Sequence, residues 1–276
     1  MRRMTRTSVW MFGNNKGGVG KTTTSLNVAA SLSEQRKSCL FIDIDESTNS
    51  TFHLKMLGSK EESFAVSRLF TDKDVDVNDC ILYHTKLEGV ALIPSERGMK
   101  DYLAQYISTH DKRILDVMGK RFAEKLQELD GVFDCIIIDV GPTMDVALAM
   151  VLEAVTHYVF VADSSSYAEQ GIFNVMASVE RLRPGAENGI ELVGAVYCNI
   201  NMNSNYAKNI VQRETIADNI PLLPVYIPHR IEITENQAVA DFAVRDGKDT
   251  ILAKSFRDLT QIMLSRSVEQ YPGVEH

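Results

Sequence analysis

Asn14-Asn15-Lys16-Gly17-Gly18-Val19-Gly20-Lys21-Thr22-Thr23-Thr24 follows a short apolar run, Val9-Trp10-Met11-Phe12, and precedes Ser25–Leu32, whose apolar residues recur at helical spacing. The pattern reads as strand, glycine loop, helix. Glycines at 17, 18 and 20 let the backbone turn its N–H groups inward around an anion. The helix that follows adds about half a positive charge at its first turn. Lys21 is then placed to reach β- and γ-phosphates, and the Thr22 hydroxyl to take a position on Mg²⁺. The loop departs from the plain phosphate-loop pattern at Asn15, where that pattern has glycine, and it carries a second lysine, Lys16.

Two further stretches place acids at strand ends. Cys39-Leu40-Phe41-Ile42 is a compact apolar run that delivers Asp43-Ile44-Asp45 to the carboxyl edge of a sheet, where ligands of open α/β sheets bind. Alternation along a strand predicts Asp43 and Asp45 on one side. Two adjacent carboxylates are costly unless a cation or water separates them, a need that Mg²⁺ meets; two exposed loop acids are the plainer alternative. Phe133-Asp134-Cys135-Ile136-Ile137-Ile138-Asp139 reads as a Walker B strand that offers Asp139 to Mg²⁺.

The strand and helix patterns alternate along all 276 residues, so one α/β domain is expected over residues 9–268, between a basic tail at 1–8 and a short tail at 269–276. The four cysteines are scattered without a Cys-x-x-Cys pair, which argues against a zinc site or a cluster and fits a reducing cytoplasm. A formal net charge of −8 excludes a chain coated in positive charge but permits a local basic patch. The run Met1–Arg6 is basic without a signal-peptide core behind it. No apolar run has the length to span a bilayer.

Lys16-Gly17-Gly18-Val19-Gly20-Lys21-Thr22-Thr23 resembles the deviant Walker A motif of the ParA/MinD family of partition and positioning ATPases. Asp43–Thr51 is similar to that family's Asp-x-Asp-Pro-Gln-x-Asn-x-Thr segment: Asp43, Asp45, Asn49 and Thr51 match, and Glu46 and Ser47 replace Pro and Gln. Asp139-Val140-Gly141-Pro142 stands where the family has Asp-x-Pro-Pro, and the glycine frees that turn. The resemblance implies a single-domain P-loop NTPase with a mostly parallel twisted sheet and helices on both faces, using ATP and Mg²⁺. It implies a homodimer that sandwiches two nucleotides, each Lys16 crossing to the other subunit's phosphates. Lys16, Lys21 and Asp45 are then catalytic, Asp45 by positioning the attacking water. Gly17, Gly18, Val19, Gly20, Lys21, Thr22 and Thr23 hold the phosphates. Thr22, Asp43 and Asp139 lie at or near the metal.

Elsewhere the reading is coarser. Short helices are expected near 65–70 and 98–107, a longer one near 111–129, and strands at 89–95, 158–161 and 190–197. Tyr167-Ala168-Glu169-Gln170-Gly171 resembles the family stretch approached by the dimer partner. Asn199, at a strand end, is a candidate reader of the adenine edge, because an amide offers both donor and acceptor; a turn-forming asparagine is the alternative. Leu222–Pro228 reads as a last edge strand, and the loop from His229 onward resembles the nucleotide-flanking loop, with Ile227, Pro228 and Glu235 matching. Pro228 is therefore assigned to the nucleotide site. The closing helix, Thr250–Arg266, is expected to pack on the domain rather than on a membrane.

In the resembling family the ATP dimer binds DNA without sequence preference and hydrolyses slowly until a centromere-binding ParB-type protein completes the site. Lys208, Arg213, Arg245, Lys248, Lys254 and Arg257 are candidates for one basic stripe, or for isolated solvated charges. The stretch ahead of Val9 has no room for a helix-turn-helix domain. A cytoplasmic, nucleoid-associated protein is expected. A MinD-like positioning ATPase, which needs a basic amphipathic anchor, an iron–sulfur reductase, which needs paired cysteines, and a biosynthetic ATP-dependent ligase are the alternatives.

Overall fold

The computed structural model describes residues 7–111, 113–141, 146–165, 170, 173–177, 189–216, 220–229, 241–245, 247 and 249–269. Strands β1 (Ser8–Gly13), β2 (Cys39–Asp43), β3 (Val90–Ile93), β4 (Cys135–Asp139), β5 (His157–Ala162), β6 (Glu191–Ile200), β7 (Thr215–Ile216) and β8 (Ile220–Pro228) form one sheet in the order β3-β2-β4-β1-β5-β6-β8-β7. Every neighbouring pair is parallel except β7–β8. Parallel strands need both faces covered. Helices α1 (Lys21–Glu34) and α8 (Ile251–Glu269) lie on one face; α3 (Ser67–Thr71), α4 (Met99–Ser108), α5 (Ile114–Gln127), α6 (Val146–Val151) and α7 (Asn205–Ile210) lie on the other. Helix α2 (Asn49–Leu54) follows the β2 edge turn.

The two cores follow from strand alternation. Val9, Met11, Leu40, Ile42, Ile136 and Ile138 face the α3–α7 layer. Trp10, Phe12, Phe41 and Ile137, one residue out of phase, face α1 and α8. The continuous apolar runs seen in the sequence are thus strands buried on both sides. The chain leaves β1, crosses to β2 and β3, then returns to place β4 directly beside β1. The loop after β1 therefore opens between β4 and β5, at the reversal where open α/β sheets bind ligands.

Several boundaries differ from the sequence reading. Thr7 and Ser8, assigned to the tail, are buried; the Thr7 hydroxyl donates to the Phe133 carbonyl at 3.0 Å. Strand β8 is not the edge: β7 pairs antiparallel with its first residues, Thr215 opposite Pro221. That cover is two residues long, so Pro224 and Pro228 fall where no N–H is needed for an outer ladder. Helix α8 packs on α1 and β8 through Leu252, Ala253, Phe256, Leu259 and Met263. Residues 230–240, which include Glu235, lie outside the described residues, as do most of 167–171.

Gly13, the last residue of β1, is crossed by the ring of Tyr158 on β5. A Cβ there would lie 1.8 Å from the Tyr158 hydroxyl and 2.3 Å from the ring carbon that bears it. Gly13→Ala is expected to cost at least the roughly 1–3 kcal/mol typical of overpacking. Urea unfolding measures this, and wild-type stability in that variant would contradict the close approach.

Candidate functional site

The glycine loop connects β1 to α1. Gly18 and Gly20 have φ of 74° and 103°, in the left-handed region that favours glycine. Gly20 is the N-cap of α1 and offers no side-chain cap, and Lys21, Thr22 and Thr23 of the first turn line the cleft. Asn14 clasps the loop's base: its Nδ2 donates to the Val161 carbonyl at 2.7 Å, and its Oδ1 accepts from the Lys16 N–H at 3.0 Å. Val19 is buried beneath the loop, whereas Gly17 and Gly18 are exposed at its crest.

The two loop lysines point to different places. Lys21 is buried, and its Nζ donates to the Lys16 carbonyl at 2.9 Å, across the hollow of the loop. Burial lowers the Lys21 pKa, against the opposite pull of Asp139 and Asp45. Lys16 reaches outward to Asp163, just past β5, with Nζ 2.5 Å from Oδ2 and 3.0 Å from Ser165 Oγ. Burial acts against ionisation of Asp163, but the Lys16 and Ser165 hydrogen bonds hold it below the usual carboxylate range.

Asp43 and Asp139 end neighbouring strands and are paired in register. Both are fully buried. Asp43 is taken up by the protein: Oδ2 accepts from the Thr51 N–H at 2.8 Å and its hydroxyl at 2.7 Å, and Oδ1 from the Asp45 N–H at 3.0 Å. Asp139 Oδ2 accepts from Ser50 Oγ at 2.6 Å, but Oδ1 is buried without a hydrogen-bond partner. The ladder runs one residue past β2, the Ile44 N–H donating to the Asp139 carbonyl at 2.8 Å, and Leu40, Ile42 and Ile44 share one core. Asp43 and Asp45 therefore keep the opposite phase, as alternation predicts; they differ in burial, Asp43 being enclosed and Asp45 at the cleft wall. Gly141 makes room for Asp45, since a Cβ there would lie 3.2 Å from Asp45 Oδ1.

The cleft has a volume of about 960 Å³. Gly17, Gly18, Gly20, Lys21, Thr22, Thr23, Asp45 and Gly141 line one end, and Met99, Leu103 and Ile107 of α4 with Val146 and Leu148 of α6 line the other. Asn199 and Pro228 do not line it; they sit at the ends of β6 and β8. The adjacent Cys198 is 3.4 Å from Thr24 Oγ1 through its sulfur, which places this strand end beside the first turn of α1. Asn199 has φ 59°, and its Oδ1 lies 2.5 Å from His229 Nδ1.

A magnesium ion bound with phosphate suits these donors. The orphaned Asp139 Oδ1 is a hard, buried oxygen, and the Thr22 hydroxyl is close enough to Asp139 to lower its pKa. Among the described residues no group of three or more His, Cys, Asp or Glu could hold a metal by themselves, which suits an ion that keeps waters and takes phosphate oxygens. Sequence reasoning missed Ser50, Asn14 and Asp163. Asp163 alone carried a signal, an acid directly after an apolar strand.

The basic stripe is not assembled as proposed. Lys208 lies on α7, on one face of the sheet, and Lys254 and Arg257 on α8, on the other. Arg257 is paired with Glu34 at 2.8 and 3.1 Å, and Arg245 with Asp241 at 2.8 Å. Lys248 lies outside the described residues. No helix among the described residues is long and apolar enough to cross a membrane.

A glycine loop opening at the sheet's reversal, one lysine curled into it and buried acids on the two strands to one side, defines a P-loop nucleotide-binding α/β protein. The AAA_31 family, an AAA domain, matches residues 7–192, and the chain belongs to it. It is 22% identical over 222 residues to the chromosome partitioning protein ParA of Myxococcus xanthus, across 80% of this chain and 75% of that one. Its fold matches cobyrinic acid a,c-diamide synthase from Mycobacterium smegmatis with bound ATP analog and magnesium (TM-score 0.74, 23% identity, 94% and 95% of the two chains). It also matches an ATP complex of a McdA variant from Cyanothece (TM-score 0.74, 20% identity, 99% and 100%).

Burial first, and then repulsion from Asp43, raises Asp139 to about 7; Ser50 and Thr22 partly offset this. Burial raises Asp43 to about 6, against the donors from Thr51 and Asp45. Unfolded carboxylates titrate near 4, so both groups bind protons more tightly when folded. Their contribution to stability is complete below about pH 4 and is lost as pH rises through 6 and 7. Metal-free protein is therefore expected to melt lower at pH 8 than at pH 6. The gain in melting temperature on adding ATP and Mg²⁺ should be larger at pH 8, because the ion needs the ionised acid. A larger gain at pH 6 would refute this assignment.

Proposed function

We propose that the chain is a ParA-type ATPase: an ATP-dependent dimerisation switch that binds DNA without sequence preference and segregates plasmid or chromosome DNA with a centromere-binding ParB-type partner. The observation that supports it most directly is the division of labour between the loop lysines. Lys21 is inside the cradle, positioned to exchange the Lys16 carbonyl for β- and γ-phosphate oxygens. Lys16 is turned to Asp163, away from the hollow that Lys21 fills, which suits it to phosphates presented from outside its own loop. A second copy presented face to face supplies them.

In this reading Gly17–Thr23 and Lys21 bind the triphosphate through loop N–H groups and the Lys21 charge. Thr22 and Asp139 hold magnesium, and Asp43 sets the turn that carries Asp45. Asp45 orients the attacking water, and Asn199 and Pro228 flank the adenine. Magnesium supplies neutralisation of the phosphate charge that builds up during transfer. A cation delivered across a dimer is worth roughly 10³–10⁵ in rate, so hydrolysis is slow until dimer and partner geometry are complete. DNA contact rests on basic residues spread over both faces, and the protein acts in the cytoplasm on the nucleoid.

One observation favours a second reading, a biosynthetic ATP-dependent ligase. The apolar wall of α4 and α6 continues the cleft past the phosphate loop, and the diamide synthase shares the fold. Turnover with purified small-molecule acids, without DNA or a partner protein, identifies that case. A cargo-positioning ATPase of MinD type is separated from a partition ATPase by vesicle sedimentation.

Lys21→Ala is expected to abolish ATP binding in an equilibrium assay, whereas Lys16→Ala keeps affinity within about threefold and loses hydrolysis and ATP-dependent dimerisation by light scattering. A Lys16→Ala protein that still dimerises and hydrolyses would overturn the trans role. DNA retention should require ATP and weaken steeply between 50 and 200 mM salt, as counterion release demands. Retention without nucleotide would count against the switch.

A further inference from the structure

Of the four carboxylate oxygens in the buried pair Asp43 and Asp139, the protein engages three. Asp43 Oδ1 accepts from the Asp45 N–H at 3.0 Å, and Asp43 Oδ2 from the Thr51 N–H at 2.8 Å and its hydroxyl at 2.7 Å. Asp139 Oδ2 accepts from Ser50 Oγ at 2.6 Å. Asp139 Oδ1 has no hydrogen-bond partner.

The Asp139 backbone is fixed, because it pairs with Asp43 in the ladder and its carbonyl accepts from the Ile44 N–H at 2.8 Å. What remains open is the side-chain torsion that turns the carboxylate, and that torsion is intrinsically broad. One anchored oxygen fixes the plane of the group, and with it the direction of the other oxygen. Ser50 supplies the anchor. An ionised carboxylate only accepts, so the hydroxyl is the donor in this bond. Ser50 is fully buried, which keeps bulk water from competing for its hydrogen. The N-cap of α2 is Thr48, so the Ser50 hydroxyl is not spent on capping. Its place is set by the next residue: Thr51 is bound to Asp43 through both N–H and hydroxyl, and its Oγ1 accepts from the Ser95 N–H at 3.0 Å. Two consecutive residues of one helical turn thus hold acids on two adjacent strands.

We propose that Ser50 is a positioning residue for magnesium: by anchoring Oδ2 it holds the Asp139 carboxylate in the plane that directs Oδ1 to the ion or to one of its waters. Outer partners of this kind orient a metal-binding carboxylate without touching the metal. The proposal rests on the reading of Asp139 as the acid at the metal.

The experiment measures the equilibrium affinity of the full chain for a non-hydrolysable ATP mimic, once with magnesium and once with a chelator; the ratio of the two is the magnesium enhancement. Wild type is compared with Ser50→Ala, Ser50→Thr, Ser50→Cys and Asp139→Asn at about pH 9, so that protons do not compete for the carboxylate. Ser50→Ala should lower the enhancement about tenfold, the low end of what losing an orienting partner costs, and leave the affinity in chelator unchanged. Ser50→Thr, which keeps the hydroxyl, should restore the enhancement. Ser50→Cys, close to serine in volume but a weak donor, should fall between them, and it carries the test if the alanine variant does not fold. A merely structural serine would lower the melting temperature and both affinities together and leave their ratio unchanged, and that result overturns the proposal. If Asp139→Asn leaves the enhancement unchanged, magnesium is held elsewhere and the underlying reading fails as well. If Asp139→Asn removes the enhancement while the Ser50 variants keep it, that reading stands and the role of Ser50 alone is refuted.

Discussion

Two carboxylates, Asp43 and Asp139, end adjacent strands side by side in the middle of the molecule, with no water access to either. Placing two like charges in a low-dielectric interior is among the most costly arrangements a fold can adopt. Much of the local architecture answers that cost. Helix α2 starts where it does because Ser50 and Thr51 must bring their hydroxyls to Asp139 and Asp43. Asp45 turns toward the cleft because its N–H is spent on Asp43. Lys21 sits buried nearby, its charge favoured by Asp139 and Asp45 while burial opposes it. One acceptor, Asp139 Oδ1, is left over. A core built for stability alone would not retain it; a site for a hard cation would.

The same economy of contacts separates the loop lysines. A glycine loop with two lysines could place both inward, where they would repel each other. Here Asp163, an acid at the end of the neighbouring strand, draws Lys16 away and leaves the cradle to Lys21. The pair is partly exposed, with side-chain accessibilities of 37% and 21%, so solvent screens it and exchange to another anion costs little. A contact of that kind can be traded for a phosphate, whereas a fully buried one cannot.

Much of this was legible in the chain itself. The loop, Lys21, Thr22 and the acids at 43, 45 and 139 follow from short-range patterns: glycine spacing, apolar runs that end in carboxylates, and a helix start. Such features survive any tertiary arrangement that keeps strand, loop and helix in order. The reading failed where one residue's place depends on another element. Alternation gave the shared phase of Asp43 and Asp45 but not their burial: Asp43 is enclosed, whereas Asp45 lines the cleft. The basic residues from 208 to 257 looked continuous in sequence, yet α7 and α8 cover opposite faces of the sheet. Strand β8 was read as an edge because of its prolines, and the two residues of β7 that cover its start were too short to announce themselves.

By itself, then, the order of residues determined that a phosphate loop would form and that acids would meet it at a sheet edge, because glycine conformational freedom and strand periodicity act over a few residues. Only the tertiary structure decided which oxygen stays unpaired, which lysine turns outward and which serine anchors Asp139. Those outcomes depend on side chains 89 and 147 residues apart competing for the same donors and acceptors, and no local pattern encodes who wins.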